Sequence, residues 1–389
     1  MTAIPNGSVR DYMTATGNRR WRFVIDVPGK DGRRRQHKRS GFTTRAEARS
    51  ALDDLRDKLY DGLVPAPDAS SVGGFYRAWI EALPAEGIEP ATVLHYDHSV
   101  RRLLDRIGSV RLQVLSAQDL DAAYADLRAQ GLSARSIRGS HVAVRKMLAE
   151  ARRLGLVARN VSDDARPPVP KAARAKRFPT WTLGELRRFL GLSADDPDAT
   201  LWSLMAFTGI RRDEAVALLW RDVNLDTGTL TVCRAAARDI GGGSFVKVPK
   251  TDAGHRVVEL DPPTVRALRA HRADQRERQL LIGPGWGNAE GRVFCEVDGG
   301  LIRPGRLTER WRDVVRAHAK AAEVEVIRLH DLRHSHATQL LVAGVRPDVV
   351  SRRLGHSSVA FTLQTYGHVV EGDQRAALDL LFGSRRNLL

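Results

Sequence analysis

The first sixty residues show two different hydrophobic periods. Apolar and polar residues alternate along WRFVIDV, the turn residues PGKDG follow, and RRRQHKRSGF can return as a second strand. Thr44 and Glu47 then stand in the spacing of a capping box and begin a helical stretch that stops at Gly62. The pattern therefore predicts a small module made of a β-hairpin and one helix.

The next part of the chain, residues 75–161, has a helical period throughout. Apolar residues recur every three or four positions in FYRAWIEAL, ATVLHYDHSVRRLLDRI, SAQDLDAAYADLRAQ and SARSIRGSHVAVRKMLAEARRLGLV. Ser116 with Asp119 has the pattern of a capped helix start, and Gly131 that of a helix stop. We expect a compact domain of four or five helices.

Two stretches separate this helical domain from its neighbours. One is rich in proline, serine and glycine, and the other is basic and rich in proline, as is typical of linkers. Beyond the second linker the period is mostly helical, with antiparallel strands predicted in TLTVCRAA and SFVKVPKTDAGHRVVEL. The expected fold is multidomain and mainly α with small β elements, and its last domain is mixed α+β. The boundaries are a first module at 1–63, a linker at 64–74, the helical domain at 75–161, a basic linker at 162–177 and a last domain at 178–389.

The charge of the chain favours a polyanionic partner. A formal net charge of +16 over 389 residues points most simply to nucleic acid, although a basic protein from an arginine-rich proteome is the alternative. Within the first module, Arg33, Arg34, Arg35, Lys38 and Arg39 load one strand with positive charge. Such a strand is either a solvated edge guarded by cations or a strand that enters a DNA groove.

The remaining composition excludes several classes. Cys233 and Cys295 are the only cysteines, so neither a disulfide framework nor a cysteine-based zinc site is expected. The opening residues lack the apolar core of a secretory signal, and no apolar run approaches the roughly 18 residues of a membrane span. A cytoplasmic location is expected.

Four stretches of the last domain carry side chains that can act on an anion. In FTGIRRDEAVALLW, Arg211 is followed one turn later by Glu214, which is placed to hold an arginine. Lys250 follows a proline at the tip of a predicted strand. In LHDLRHSHATQLL, His330 and Arg333 share a face near a helix N-terminus, where free backbone N–H groups favour an anion.

The fourth stretch is LGHSSVAFTLQTYGHVV, in which His356 precedes Tyr366 by ten residues. Taken singly, each of these residues has an ordinary interpretation: an exposed ion pair, a solvated lysine or a packed tyrosine. A zinc helix is a further alternative, because His330 and His334 have the spacing of two ligands. Asp331 stands where the zinc motif has glutamate, and no third ligand is evident, so neither a metal nor another cofactor is expected.

Together these residues form a particular inventory: two arginines, a lysine, two histidines and a late tyrosine. A phosphodiester attacked by an oxygen nucleophile gathers negative charge on its non-bridging oxygens, which two guanidinium groups can bind. In this order, Arg211 with Glu214, Lys250, HDLRH and LGH…Y resemble the tyrosine recombinase family, the phage integrase type in particular. The resemblance covers about residues 178–366, and the N-terminal module resembles the arm-type DNA-binding module of such integrases.

The resemblance implies how the phosphate is held and attacked. Tyr366 is the nucleophile, which attacks the scissile phosphate and becomes joined to the 3′ end while a 5′-hydroxyl departs. Arg211 and Arg333 hold the phosphate oxygens, and Glu214 orients Arg211 without reacting.

The resemblance also implies the proton transfers. Lys250 is the general acid for the leaving oxygen, with Lys247, three residues earlier, as the alternative lysine. His330 assists removal of the tyrosine proton, and His356 hydrogen-bonds the phosphate. Two further imidazoles are given no chemistry: His334 and His336.

The expected partners follow from the same resemblance. They are double-stranded DNA with core and arm-type attachment sites, a homotetramer on two DNA sites, a host bending protein and an excision factor. A type IB topoisomerase would use similar chemistry and relax supercoils as a monomer, and a non-catalytic integrase-like regulator would only bind DNA. The separate N-terminal module and the complete inventory favour an integrase that integrates and excises a phage or another mobile element.

Overall fold

The chain forms two compact units, residues 1–172 and residues 173–389. The computed structural model describes residues 7–28, 34–60, 70–170, 178–248 and 255–370.

The first unit begins with a three-stranded antiparallel sheet and one helix. The elements are β1 (Ser8–Met13), β2 (Arg19–Pro28), β3 (Arg34–Phe42) and α1 (Arg45–Tyr60), with the strands in chain order. Phe23 and Ile25 of β2 pack against Leu52 of α1 as a small core. The predicted hairpin and helix are confirmed. The first strand was not predicted, because its side chains are half-buried or exposed and leave no apolar alternation.

The capping box that begins α1 is present. The Glu47 backbone N–H donates to Thr44 Oγ1 at 3.1 Å, and the Thr44 N–H donates to Glu47 Oε2 at 3.3 Å. Such a pair satisfies two backbone donors that a helix N-terminus leaves without partners. The local signal in the sequence therefore fixes where this helix begins.

The remainder of the first unit is helical, as predicted. Its helices are α2 (Val72–Ala82), α3 (Pro90–Ile107), α4 (Ala117–Ala129) and α5 (Ala134–Arg153). Helix α2 begins inside the segment predicted as a linker, because Ser71 Oγ accepts a hydrogen bond from the Gly74 N–H at 3.0 Å and caps it. The predicted capping box of Ser116 and Asp119 begins α4. A separate hydrophobic core, which includes Trp79 and Met147, holds the bundle together.

The second unit is mixed α+β. Its helices are α6 (Leu183–Leu192), α7 (Ala199–Thr208), α8 (Arg212–Val216), α9 (Pro262–Ile282), α10 (Pro304–His318), α11 (Asp331–Val342), α12 (Pro347–Leu354) and α13 (Val359–Val370). Its strands are β4 (Val223–Asn224), β5 (Thr229–Val232), β6 (Ala235–Arg238), β7 (Ser244–Lys247) and β8 (Arg256–Glu259).

Each of the two predicted strand segments of this unit forms two strands. Strand β5 lies between β4 and β8, whereas β6 pairs with β7 in a separate two-stranded sheet, and all pairs are antiparallel. The break falls at Cys233 and Arg234, where the guanidinium of Arg234 pairs with Asp222. The sequence predicted antiparallel strands correctly but did not predict that they divide into two sheets.

A buried aromatic cluster supports the helix that carries the HDLRH motif. Trp181, Trp202 and Trp311 are almost fully buried, and the last two rings meet edge to face at 5.2 Å between centroids. The Trp181 backbone N–H donates to Ser335 Oγ at 3.0 Å, and Gln339 Nε2 donates to the Trp181 carbonyl at 3.1 Å. Helix α11 is thereby tied to the core, and its residues 331–337 are all buried. Among the described residues, no helix is long and apolar enough to span a membrane.

Gly209, the C-cap of α7, has the left-handed conformation, with φ 66°. A Cβ atom there would lie 2.6 Å from Leu354 Cδ2 and 2.8 Å from His336 Cδ2. We expect Gly209→Ala to destabilise the second unit by about 2–4 kcal/mol, because overpacking adds to the backbone strain. The measurement is urea unfolding of the full chain, followed by tryptophan fluorescence.

The matched control is Gly344→Ala, at φ 81° with no heavy atom within 4 Å of the added Cβ. It carries the backbone strain alone, about 1–2 kcal/mol. Equal losses of stability for the two variants would contradict the proposed close packing at Gly209.

Candidate active site

The first part of the site is a buried carboxylate shared by two arginines. Glu214 is 6% exposed; the Arg211 Nη1 donates to its Oε1 at 2.8 Å and the Arg211 backbone N–H to its Oε2 at 2.7 Å. Arg256 binds the same carboxylate with Nη1 and Nη2, at 3.1 and 2.8 Å. Burial alone would raise the pKa of Glu214, but its bonds to Arg256 and then to Arg211 lower it. Glu214 is therefore ionised and fixed in place.

Arg333 lies beside this pair and is itself buried. Its Nη1 donates to the Gly209 carbonyl and its Nη2 to the Leu354 carbonyl, both at 2.7 Å. Burial, reinforced by the positive charge of Arg211, lowers the pKa of Arg333 to about 9. The guanidinium remains a cation at neutral pH. We call Arg211, Arg256, Arg333 and Glu214 the arginine cluster.

His356 follows the end of α12, where Gly355 turns the chain with φ 67°. The His356 Nδ1 lies 2.7 Å from Thr362 Oγ1, and its ring is nearly parallel to that of Tyr366, 6.4 Å away between centroids. Burial, with the positive charge of Arg333, lowers the pKa of His356 to about 3. The imidazole is therefore neutral and can act as a hydrogen-bonding group.

Tyr366 lies on α13, and its ring packs with apolar side chains of α11 and α12. Its hydroxyl is 2.7 Å from His334 Nδ1, and burial raises its pKa to about 12. The His334 ring is stacked on Phe178, with 4.0 Å between centroids and 6° between planes. Burial and the neighbouring His330 lower the pKa of His334 to about 4. A neutral phenol thus meets a neutral imidazole.

His330 occupies the N-cap position of α11 and is exposed. Its ring meets the His334 ring edge-on, 5.0 Å away between centroids. Desolvation and the charge of Arg333 lower the pKa of His330. The family resemblance implied that His330 assists removal of the tyrosine proton. In the structure, the histidine in direct contact with the Tyr366 hydroxyl is His334, to which the sequence analysis gave no chemistry.

His336 belongs to the scaffold. Its Nε2 accepts a hydrogen bond from Arg353 Nε at 3.0 Å, and Arg353 Nη2 donates in turn to the Glu259 carbonyl at 3.0 Å. Burial, with the charge of Arg353, lowers the pKa of His336 to about 3. The neutral ring therefore joins α11 to α12 and β8.

Two lysines were candidates for the general acid. Lys250 lies outside the described residues, and Lys247, the alternative, ends β7.

Arg256 was missed by the sequence analysis, because an arginine in a strand has no spacing that marks it as a partner of Glu214. In the part of the chain that the structure describes, no three His, Cys, Asp or Glu side chains are grouped to hold a metal ion.

The fold is that of DNA-bound integrases. The structure of the Tn1549 transposon integrase in complex with a circular intermediate DNA superposes with a TM-score of 0.65 at 19% identity, covering 80% of this chain and 99% of that one. The lambda integrase tetramer bound to a Holliday junction superposes with a TM-score of 0.53 at 15% identity, covering 91% of this chain and 94% of that one. These likenesses define the class of fold.

The sequence comparisons identify two domains. Residues 185–372 match the phage integrase family, and residues 11–59 match the arm DNA-binding domain. A tyrosine recombinase XerC-like protein of Caldanaerobacter subterraneus subsp. tengcongensis is 23% identical over 353 residues, which cover 87% of this chain and 89% of that protein. The chain therefore contains a phage integrase domain and an arm DNA-binding domain, and it is similar over most of its length to a tyrosine recombinase.

The depressed pKa of His336 makes the stability of the second unit depend on pH. The unfolded histidine, with a pKa of about 6.5, binds a proton that the folded one, at about 3, does not. The free energy of unfolding therefore falls as pH decreases from about 6.5 towards 3, by up to about 1.4 kcal/mol per pH unit for this group. We expect His336→Gln to reduce this slope, measured by urea unfolding between pH 4 and 7.

The control is His95→Gln, a change at an exposed histidine of the first unit. It should leave the slope as in the unchanged protein. An unchanged slope in His336→Gln would contradict the assignment of a buried, neutral His336.

Proposed function

We propose that this chain integrates and excises a phage or another mobile element, and that Tyr366 forms a 3′-phosphotyrosine bond with DNA during the reaction. The observation that supports this most directly is the convergence at the end of α12. Arg211 bonds to the Gly355 carbonyl and Arg333 to the Leu354 carbonyl, His356 follows directly, and the Tyr366 ring packs with Leu354. Phosphate ligands and a nucleophile thus share one small region.

The reaction we propose is an in-line displacement at phosphorus. The Tyr366 oxygen bonds to the phosphorus as the bond to the 5′ oxygen breaks. As the new bond forms, the phenol proton passes to the neighbouring histidine pair, His334 and His330, and Lys250 supplies a proton to the leaving 5′ oxygen. Arg211 and Arg333 bind the two non-bridging oxygens, on which negative charge develops. Preorganised donors of this kind are each worth roughly a hundredfold to a thousandfold in rate. The phosphotyrosine conserves the bond energy, so rejoining needs no ATP.

His334 has a holding role in this proposal. With a pKa of about 4, its imidazole is too weak a base to take a proton at equilibrium from a phenol whose pKa is about 12. It can instead accept the phenolic hydrogen bond and keep the hydroxyl in one position. The phenol then loses its proton only as its oxygen bonds to phosphorus. The positive charge of Arg333 favours this loss, and His330 lies next to the His334 ring.

The three domains divide the work on DNA. We propose that residues 1–63 bind arm-type sites, that residues 75–161 bind the core site, and that residues 178–389 catalyse the reaction. The separate cores of the sheet module and the helical bundle support the first division, and the two family matches agree with it. As with the lambda integrase tetramer on a Holliday junction, four copies on two DNA sites are expected, with a host bending protein and an excision factor as further partners.

The nucleophile has a direct test with a nicked suicide duplex of the attachment site, which traps the covalent complex. We expect Tyr366→Phe to form none, because the attacking oxygen is gone, while the Kd for DNA changes less than about twofold. The readout is a denaturing gel beside a mobility-shift titration. Tyr124→Phe is the matched control, since its buried hydroxyl also meets a histidine Nδ1, that of His141, at 3.0 Å. A covalent complex in Tyr366→Phe would contradict the assignment.

The phosphate ligands are tested by Arg211→Ala and Arg333→Ala. Each should lower the single-turnover cleavage rate by about a hundredfold to a thousandfold, because one donor to the developing charge is removed. Binding should remain largely intact, since most of the affinity comes from interactions along the DNA backbone. A loss of binding as large as the loss of cleavage would count against the role.

The arm function is tested by changing Arg33, Arg34 and Arg35 to glutamine. We expect weaker binding to duplexes that carry arm sites, and a salt dependence of log K that is shallower by about 0.9 for each phosphate that the strand no longer neutralises. Cleavage of a core duplex without arm sites is the internal control and should not change. Unchanged arm-site affinity would refute the arm function of this strand.

Two other functions are separated by one further assay. A type IB topoisomerase would relax a supercoiled plasmid that lacks attachment sites, and a DNA-binding regulator would form no covalent complex at all. Exchange between two attachment sites on one plasmid is the outcome that supports the integrase.

A further inference from the structure

The arginine cluster contains a third arginine, Arg256, beside the two that the family resemblance identifies as phosphate ligands. Arg256, the first residue of β8, is 8% exposed and lies in the arginine cluster. Its Nη1 and Nη2 bind both oxygens of Glu214, and its Nε donates to the Arg353 carbonyl at 2.8 Å. All three nitrogens of its guanidinium therefore bind protein groups, so Arg256 itself is not placed to contact a substrate.

The carbonyl that Arg256 binds is one of three in succession. We call the backbone oxygens of Arg353, Leu354 and Gly355 the carbonyl row. Each accepts a hydrogen bond from a different arginine: Arg353 from Arg256 at 2.8 Å, Leu354 from Arg333 at 2.7 Å and Gly355 from Arg211 at 2.8 Å. Carbonyls at a helix C-terminus lack intrahelical partners and carry the negative end of the helix dipole. The end of α12 is thus a fixed set of acceptors for three guanidinium groups.

We propose that Arg256 is a positioning residue for the cleavage reaction: it holds Glu214 and, through Glu214 and the carbonyl row, fixes Arg211 and Arg333 for the scissile phosphate. The inference rests on the proposed function of those two arginines.

The physical reason lies in the charge of Glu214. A buried carboxylate attracts any guanidinium nearby, and Arg211 and Arg333 are both close enough for their charges to influence it or one another. Arg256 binds both carboxylate oxygens from one side. Because its charge compensates that of Glu214, the positive charge of Arg211 and Arg333 is left for the phosphate. Without Arg256, the negative charge of Glu214 is compensated by Arg211 and Arg333 alone, and the carboxylate then competes with the substrate for them.

The variants that test this are Arg256→Met, which removes the charge and the hydrogen bonds, and Arg256→Lys, which keeps the charge but not the planar fork. In the full chain, we expect single-turnover cleavage of the suicide duplex to be about tenfold to a hundredfold slower in Arg256→Met. This loss is no larger than that expected for a lost phosphate donor, because Arg256 acts through the donors and does not contact the phosphate. Arg256→Lys should recover part of the rate. The Kd for DNA should stay within about twofold for both variants.

A second substrate separates positioning from folding. A methylphosphonate at the scissile position carries no negative charge, so its cleavage depends less on guanidinium groups. We expect the ratio of methylphosphonate to phosphate cleavage rates to rise by about tenfold in Arg256→Met, the direction also expected for Arg211→Ala. A loss of folding would reduce both rates equally and leave the ratio unchanged.

The matched control is Arg292→Met, another buried arginine of the same unit, which pairs with Glu290 at 3.0 Å. It should leave the ratio as in the unchanged protein. An unchanged ratio in both Arg256 variants, or an unchanged phosphate rate, would overturn the positioning role while the unchanged protein still cleaves. If the unchanged protein formed no covalent complex, the proposed function would fail instead.

Discussion

Positive charge gathered around a single carboxylate is the constraint on which the rest of the active site depends. Three guanidinium groups and one carboxylate form the arginine cluster, so two positive charges are left over in a largely buried place. The guanidinium groups repel one another because they carry like charges. In the free protein, the dipoles of the carbonyl row compensate this positive charge only in part. In the proposed reaction, the scissile phosphate gains negative charge in its transition state and completes the compensation. The cluster is therefore better matched to the reacting group than to water.

Burial and the same positive charges together keep two imidazoles of the site unprotonated. Burial is the first cause that lowers the pKa of His334 and His356, and neighbouring positive groups lower it further in each case. The rings of His334 and His356 are neutral, so they donate or accept single hydrogen bonds without adding to the charge. The phenol of Tyr366, whose pKa is raised to about 12, is also neutral. In the proposed reaction, the Tyr366 nucleophile therefore stays protonated until a phosphate binds.

Much of this could be predicted from the sequence, because the strongest signals are local. Amphipathic periods and the capping pairs at Thr44 and Ser116 predicted the helices of the first unit, and motif order predicted the family. What failed depends on contacts between distant segments. Arg256 reaches Glu214 across 42 positions, and His334 reaches Tyr366 across 32, so no spacing rule identifies either contact. The complete burial of residues 331–337 in α11 also depends on distant segments, among them that of Trp181, whose backbone N–H donates to Ser335.

The proposed covalent bond between Tyr366 and DNA can be located by mass spectrometry. The covalent complex formed with a suicide duplex would be digested with nuclease and protease, and the peptides that carry a nucleotide would be sequenced by fragmentation. We expect one modified peptide, with a nucleotide joined through its 3′ phosphate to the oxygen of Tyr366. A nucleotide on another residue, or one joined through its 5′ phosphate, would contradict it.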